Sequence, residues 1–140
     1  MPNENRVALM QLRIEQARQS LNAADVLLKS EAYRDAANRS YYSIFHTMRA
    51  VLALDCYDSK KHSGIISEFS RRHIRDGLLS NECSKIIRKA FDVRNNSDYD
   101  DYYVISKEDV IQQIENAKLF LTAVEDYIKI LFSKSETGEE

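Results

Sequence analysis

Apolar residues recur at helical spacing along most of this chain, in three long segments and two shorter ones. In residues 5–29 and 106–132 they follow one another at intervals of four and three, which places them on one face of a helix. These positions are Met10, Ile14, Ala17, Leu21, Ala24 and Leu28 in the first segment, and Val110, Ile114, Ala117, Leu121, Val124, Ile128 and Leu131 in the last. The pattern predicts a first and a fifth helix that each bury a continuous stripe.

The middle of the chain predicts three further helices. Helix two covers residues 32–54, and its apolar face is formed by Tyr33, Ala37, Tyr41, Ile44, Phe45, Met48 and Leu52. Ala36, Ala37 and Ser40 are small, so another helix can approach closely there. A short helix three covers 62–74. Helix four follows Ser80, whose hydroxyl is expected to cap it, and ends near Arg94 or one turn later.

Residues 95–106 show no helical pattern. Ser106 then precedes two acidic residues, Glu108 and Asp109, and acids in a first turn meet the positive end of the helix dipole. Ser106 is therefore predicted to begin helix five.

Composition strengthens the helical prediction. The chain of 140 residues contains 3 Gly and 1 Pro, too few for the many turns of a hairpin-rich β-protein or for a glycine-rich phosphate loop. The predicted fold class is all-α, an up-and-down four-helix bundle with an additional short helix. We expect one domain over residues 1–132 and a polar, frayed tail over 133–140.

The same composition bears on location and on cofactors. No apolar run approaches the length of a membrane span, and the N-terminus lacks the pattern of a signal peptide, so we expect a cytoplasmic protein without membrane contact. Cys56 and Cys83 are expected to be free, buried thiols. No cluster of His and Cys has metal-ligand spacing, and no metal or cofactor is implied.

The net charge of −2 conceals a segregation of charge. Residues 60–97 carry nine basic and four acidic side chains, net +5, whereas residues 98–140 carry four basic and eleven acidic ones, net −7. The basic block is either an electrostatic footprint for phosphate or nucleic acid, or a solvated face. The acidic block is expected to neutralise it, within the chain or across a dimer.

The densest candidate chemistry lies where the two blocks meet. Arg94 occupies a position where the apolar stripe of helix four, with Ile87 and Phe91, should continue. A partly buried guanidinium needs a partner, and Asp98 is four residues on. Two interpretations remain open. Either Arg94 binds a phosphate, with Tyr99 or Tyr102 nearby to stack, or an Arg94–Asp98 pair is a structural clamp.

Helix two offers a second polar face, on which Arg39, Tyr42, His46 and Arg49 recur every three or four residues. This face suits a phosphate or a base, although a lone His on a helix is more often packed than functional. His62 lies at a helix start, as a candidate site residue or as a capping or interface residue. His73 is expected at the surface.

Three stretches resemble the HEPN domain, a small helical domain, and the resemblance is closest to its small stand-alone bacterial members. They are the runs A-A-N-R-S-Y-Y-S-I-F-H-T-M-R-A-V-L at 36–52, S-K-K-H-S-G-I-I-S-E-F at 59–69 and V-R-N-N-S-D-Y-D-D at 93–101. Together they place nearly the whole chain, from about residue 6 to 132, in that resemblance.

The resemblance implies a homodimer and a candidate reaction, the cleavage of RNA. Many HEPN domains are metal-independent ribonucleases in which an Arg holds the scissile phosphate while a His, a little over one turn later, assists attack by the 2′-hydroxyl. Some are toxins paired with a minimal nucleotidyltransferase, which in some pairs modifies a nearby Tyr with AMP. Arg94 matches the motif Arg, but no His follows it. His46 or His62 would have to enter the site from another helix or from the partner subunit.

Three hypotheses follow. The first is a homodimeric HEPN protein that binds a nucleotide or RNA phosphate, acting in a toxin–antitoxin-like or defence pair with a nucleotidyltransferase. In it Arg94 binds the phosphate, Asp98 orients Arg94, and Tyr99 or Tyr102 stacks or accepts modification. The second is an active endoribonuclease that uses a His from outside the usual motif. The third is a catalytically inert interaction module.

Overall fold

Helices account for nearly all of the chain that the structure describes. The computed structural model describes residues 4–136 and contains no strand in that range. Its five α-helices are α1 (Glu4–Lys29), α2 (Tyr33–Leu54), α3 (His62–Phe69), α4 (Asn81–Tyr99) and α5 (Lys107–Glu136), and a π-helical segment, Ser70–Arg75, continues α3. The all-α prediction, a four-helix bundle with an additional short helix, is confirmed.

Helix α2 lies at the centre of the bundle and packs against α1, α3, α4 and α5. Its small residues, among them Ala36, Ala37 and Ser40, are all buried and allow the neighbouring helices to approach closely. Its large residues Tyr41, Ile44 and Met48 are fully buried in the core. Because α2 is enclosed in this way, any side chain on its remaining face is held rigidly.

Helix ends differ from the sequence prediction at three places. Helix α4 continues to Tyr99, so part of the stretch expected to be irregular is helical, and α5 continues past residue 132 to Glu136. Residues 137–140 of the expected tail lie outside the described residues. Ser80 does precede α4, but its side chain makes no capping hydrogen bond; the Cys83 N–H donates to the Ser80 carbonyl at 3.1 Å instead.

The start of α5 follows the sequence pattern. The Asp109 N–H donates to the Ser106 hydroxyl at 3.1 Å, which confirms the predicted cap. Of the two cysteines, both are free, and Cys83 is buried; Cys56, expected to be buried, is exposed because it lies in the turn after α2. Within residues 4–136, no helix combines the length and apolar content that crossing a bilayer would require.

His73 corrects a sequence prediction, since it is buried rather than on the surface. Its Nε2 lies 2.6 Å from an Asp55 carboxylate oxygen and its Nδ1 lies 2.7 Å from the Tyr127 hydroxyl. The π-helical turn shifts the register of the R-R-H-I-R segment, and the ring therefore points into the bundle between the end of α2 and α5. This network fastens the α3 region to the core.

Replacing Tyr127 by Phe tests that network. The variant leaves His73 Nδ1 buried without its partner, and the free energy of unfolding is expected to fall by about 1–3 kcal/mol, measured by urea denaturation. Tyr102→Phe is the matched control, since Tyr102 is 95 % exposed and the change is expected to stay within about 0.5 kcal/mol. Equal stabilities of the two variants would show that the His73 network contributes nothing.

Candidate phosphate-binding site

The site is built where α2 and α4 cross. The α-helical extension of α4 to Tyr99 places Arg94 and Asp98 on successive turns of one helix, on the side that faces α2. An Arg94 Nε to Asp98 carboxylate distance of 3.1 Å confirms that the two side chains form an ion pair, with side-chain exposures of 15 % and 29 %. Asp98 also accepts a hydrogen bond from the Asn38 side-chain amide of α2 at 3.2 Å.

Three tyrosine rings surround the Arg94 guanidinium. Its central carbon lies 5.4 Å from the ring centre of Tyr41, 5.9 Å from that of Tyr42 and 5.6 Å from that of Tyr99. The negative faces of aromatic rings attract a cation at such distances. We call the group formed by Arg94, Asp98, Tyr41, Tyr42 and Tyr99 the arginine cage.

Arg94 is held in place without using up its hydrogen-bonding capacity. Its two hydrogen bonds, to Asn95 and to the Tyr42 hydroxyl, are both 3.4 Å long, and its Nε contacts Asp98 without the alignment of a hydrogen bond. Burial alone lowers the pKa of Arg94, but Tyr42, Tyr99, Tyr41 and Asp98 together raise it above its ordinary value. The cage therefore contains a fixed positive charge with N–H donors to spare.

His62 joins this group from α3. Its Nδ1 lies 2.7 Å from the Tyr41 hydroxyl, and its ring stacks on Phe45 with centres 4.1 Å apart. Burial, followed by the positive charges of Arg94 and Arg49, lowers the pKa of His62, so the ring is neutral near pH 7. The pKa of Tyr41 is raised, chiefly by burial, which keeps its hydroxyl protonated as a support for the ring.

The sequence that forms this site also matches a known protein family. The model of the HEPN domain family matches residues 10–127. The chain belongs to the HEPN domain family.

Named relatives cover most of this HEPN chain. A UPF0332 protein of Thermotoga maritima is 34% identical over 115 residues, covering 82% of this chain and 87% of the relative. A protein of Methanocaldococcus jannaschii, named "Putative toxin MJ0142", is 33% identical over 131 residues, covering 88% of this chain and 89% of the relative. A second protein of that organism, "Putative toxin MJ0605", is 37% identical over 90 residues, covering 64% and 67%.

His46 and its polar neighbours lie on the far side of Tyr42 in this HEPN domain. The ring centres of His46 and Tyr42 are 6.0 Å apart, and Nδ1 of His46 is buried without a hydrogen-bond partner. Burial, with the charges of Arg49, Arg39 and Arg13, lowers its pKa. His46 makes no contact with Arg94 among the described residues, so the two candidate histidines occupy different surroundings.

The other basic candidates on α2 divide into two kinds. Arg39 lies over the outer side of Tyr42, 5.0 Å from the ring centre, and donates to the Asn38 side-chain oxygen. Arg49 donates to both carboxylate oxygens of Asp58, at 3.3 and 2.9 Å. A forked pair of this kind is the geometry of a structural clamp. Arg49 therefore is engaged within the fold, whereas Arg39 extends the positive surface beside the cage.

The two tyrosines that follow the motif also separate. Tyr99 belongs to the cage and is 73 % exposed, whereas Tyr102 is 95 % exposed and makes no ring contact among the described residues. Sequence spacing placed both near Arg94. The end of α4 at Tyr99 divides them, because Tyr102 lies beyond the helix in a turn whose backbone bonds to Asp100.

Charge pairing across the fold differs from the sequence expectation. The basic residues of 60–97 are paired mostly with acids of their own neighbourhood, as in Arg71 and Arg72 with Glu68 and Lys85 with Glu82. Within residues 4–136, the Arg94–Asp98 pair is the one ion pair that joins the basic and acidic blocks. Within the described part of the chain, neutralisation of one block by the other is limited to this pair, and neutralisation across a dimer stays a prediction.

Sequence reasoning missed three members of this site. Tyr41 and Phe45 were assigned to the core stripe of α2, yet the Tyr41 hydroxyl and the Phe45 ring hold His62. Asn38 gave no signal, although it binds Asp98. The spacing of apolar residues on α2 shows which side chains face the core. It does not show that α3 and α4 pack against those side chains. Among residues 4–136 no three His, Cys, Asp or Glu side chains converge as metal ligands.

Proposed function

We propose that this HEPN protein binds a nucleotide or RNA phosphate at the arginine cage as a homodimer, in a toxin–antitoxin-like pair with a minimal nucleotidyltransferase. The observation that carries the proposal is the state of Arg94. Its charge is fixed by three rings and Asp98, and its hydrogen bonds are long. A planar guanidinium with free N–H donors suits the oxygens of a phosphate.

The contrast with Arg49 favours phosphate binding over a structural clamp. Arg49 is saturated by a forked contact with Asp58, whose shorter distance is 2.9 Å. Arg94 has one ion pair, in which Nε is not aligned as a donor. If Arg94 served only to fix the end of α4, a similar fork would stabilise it better. In our proposal Asp98 orients the guanidinium, and a phosphate takes the remaining donors.

Two observations support the paired-toxin part of the proposal. Two relatives bear the name of putative toxins, and Tyr99, a member of the cage, is largely exposed, so a partner enzyme can reach it. We accordingly propose Tyr99, rather than Tyr102, as the residue that stacks or accepts modification. The two free thiols agree with the cytoplasmic location expected from the sequence.

Arg94→Gln tests the binding proposal. Affinity for a short single-stranded RNA, measured by fluorescence anisotropy at low salt, is expected to fall by about tenfold or more, because the main phosphate contact is lost. Arg75→Gln is the control, since it removes the same charge from an exposed residue of the basic block that pairs only with Asp76. Light scattering on the same samples is expected to give twice the 16.2 kDa chain mass.

Three results would count against this proposal. Equal RNA affinities of the Arg94 and Arg75 variants would show that the arginine cage does not bind the RNA. A large loss of thermal stability in the Arg94 variant, with RNA affinity unchanged, would instead support the structural clamp. A monomer at tens of micromolar would contradict the dimer.

A second candidate, metal-independent RNA cleavage, is favoured by the place of His62. Tyr41 supports its Nδ1, which leaves Nε2 without a hydrogen bond among the described residues, and Arg94 lowers its pKa. A neutral imidazole can accept the proton of a 2′-hydroxyl. The freed oxygen attacks the adjacent phosphorus, the bond to the 5′-oxygen breaks, and that oxygen takes a proton from water, whose hydroxide then takes the proton held by His62. The products are a 2′,3′-cyclic phosphate and a 5′-hydroxyl.

The cleavage candidate predicts a pH dependence. The acid limb of kcat/KM is expected to have its midpoint below the ordinary histidine pKa of about 6.5, with the rate rising as His62 loses its proton and levelling near pH 7. His62→Asn is expected to abolish cleavage in the presence of a chelator. Cleavage that survives in His62→Asn but is lost in His46→Asn, or no cleavage by the native protein, would overturn it.

A further inference from the structure

A groove between α3 and α4 lies beside the arginine cage and is not used by it. Its volume is about 280 Å³. One wall is formed by Ser63, Ser67 and Ser70, which share a face because they are four and three residues apart. The other wall is formed by Arg88 and Phe91 of α4. The groove is half open to solvent and presents hydroxyls, a cation and an aromatic ring beside Ile66 and Ile87.

One lining residue of the groove, Phe91, is a neighbour of the arginine cage. Ser63 directly follows His62, and the Phe91 ring centre lies 6.2 Å from that of Tyr41. Along α4, Arg88 precedes Arg94 by six residues, which corresponds to about 9 Å of helix. Six residues also rotate the helix by about 120°, with Phe91 halfway between the two cations, so a strand that follows the surface of α4 past Phe91 can contact both.

Arg88 carries a positive charge that the fold does not neutralise. It forms no ion pair among the described residues, whereas its neighbour on the helix, Lys85, pairs with Glu82 at 3.2 Å. Across the groove, Arg71 and Arg72 are both engaged by Glu68. An arginine without an acid partner among the described residues, on the wall of a groove beside the arginine cage, is available to a second phosphate.

We propose that this groove binds the nucleotide adjacent to the phosphate held by Arg94, within single-stranded RNA. Its base packs on the half-buried Phe91, its sugar and base edges bond to the serine hydroxyls, and its distal phosphate contacts Arg88. Single strands suit such a groove because their unstacked bases can pack on aromatic side chains. This inference rests on the proposed function and extends it from one phosphate to a path for the strand.

The test compares two probes on the native protein and on four variants, one of which is Arg94→Gln. The probes are adenosine monophosphate, which occupies the cage alone, and a hexamer of single-stranded RNA. Arg88→Gln is expected to weaken hexamer affinity about five- to tenfold and to lower the salt slope by about 0.7, with monophosphate affinity unchanged. Ser67→Phe, which fills the groove from an exposed position, is expected to weaken the hexamer alone. Lys89→Gln removes a charge beside Arg88 but outside the groove, and is the control.

The outcomes separate this inference from the proposed function. If Arg94→Gln loses both probes while Arg88→Gln and Ser67→Phe behave like Lys89→Gln, the cage stands and the groove is excluded. If Arg94→Gln retains both probes, the proposed function itself fails. Melting temperatures of the Arg88 and Ser67 variants within a few degrees of native ensure that lost affinity reports the groove rather than unfolding.

Discussion

The candidate chemistry depends on one constraint, that a cation must be accommodated on the face of α4 that packs against α2. Burying Arg94 costs free energy unless its charge is compensated. Three tyrosine rings and one carboxylate provide that compensation without capturing its N–H donors. The result is an arginine that is positioned by the fold and yet remains chemically available.

The rest of the site follows from that arrangement. Tyr41 faces the guanidinium with its ring and His62 with its hydroxyl, so one fully buried residue couples the cation to the base. Burial, followed by the charge of Arg94, lowers the pKa of His62, which keeps the ring neutral where a base would work. The usual HEPN spacing places the histidine on the same helix as the arginine. In this chain the histidine nearest to the arginine cage is His62 of α3, which contacts the cage through the buried Tyr41.

Local sequence patterns predict the helices, but they do not predict which side chains of different helices come into contact. The four-and-three spacing predicted α1, α2 and α5 because amphipathic periodicity is a property of each helix alone. The end of α4 was left open between Arg94 and one turn later because residues 95–99 are polar, and their helix is stabilised by a tertiary contact, Asn38 with Asp98. His73 was misplaced because a π-helical turn changes the facing of residues that an α-helical count assumes. Arg94 and Asp98 were predictable because an i, i+4 pair is local. His62 was a candidate, but only the packing of α3 could show its distance from the cage.

The most direct test of the account is a nuclear magnetic resonance titration of the labelled protein with RNA blocked at every 2′-oxygen by methylation, so that binding proceeds without cleavage. The account predicts that the largest shift changes occur at the Arg94 guanidinium and at the His62 ring, with one shared saturation curve. Saturable binding whose shift changes fall on other surfaces, with Arg94 and His62 unaffected, would contradict it.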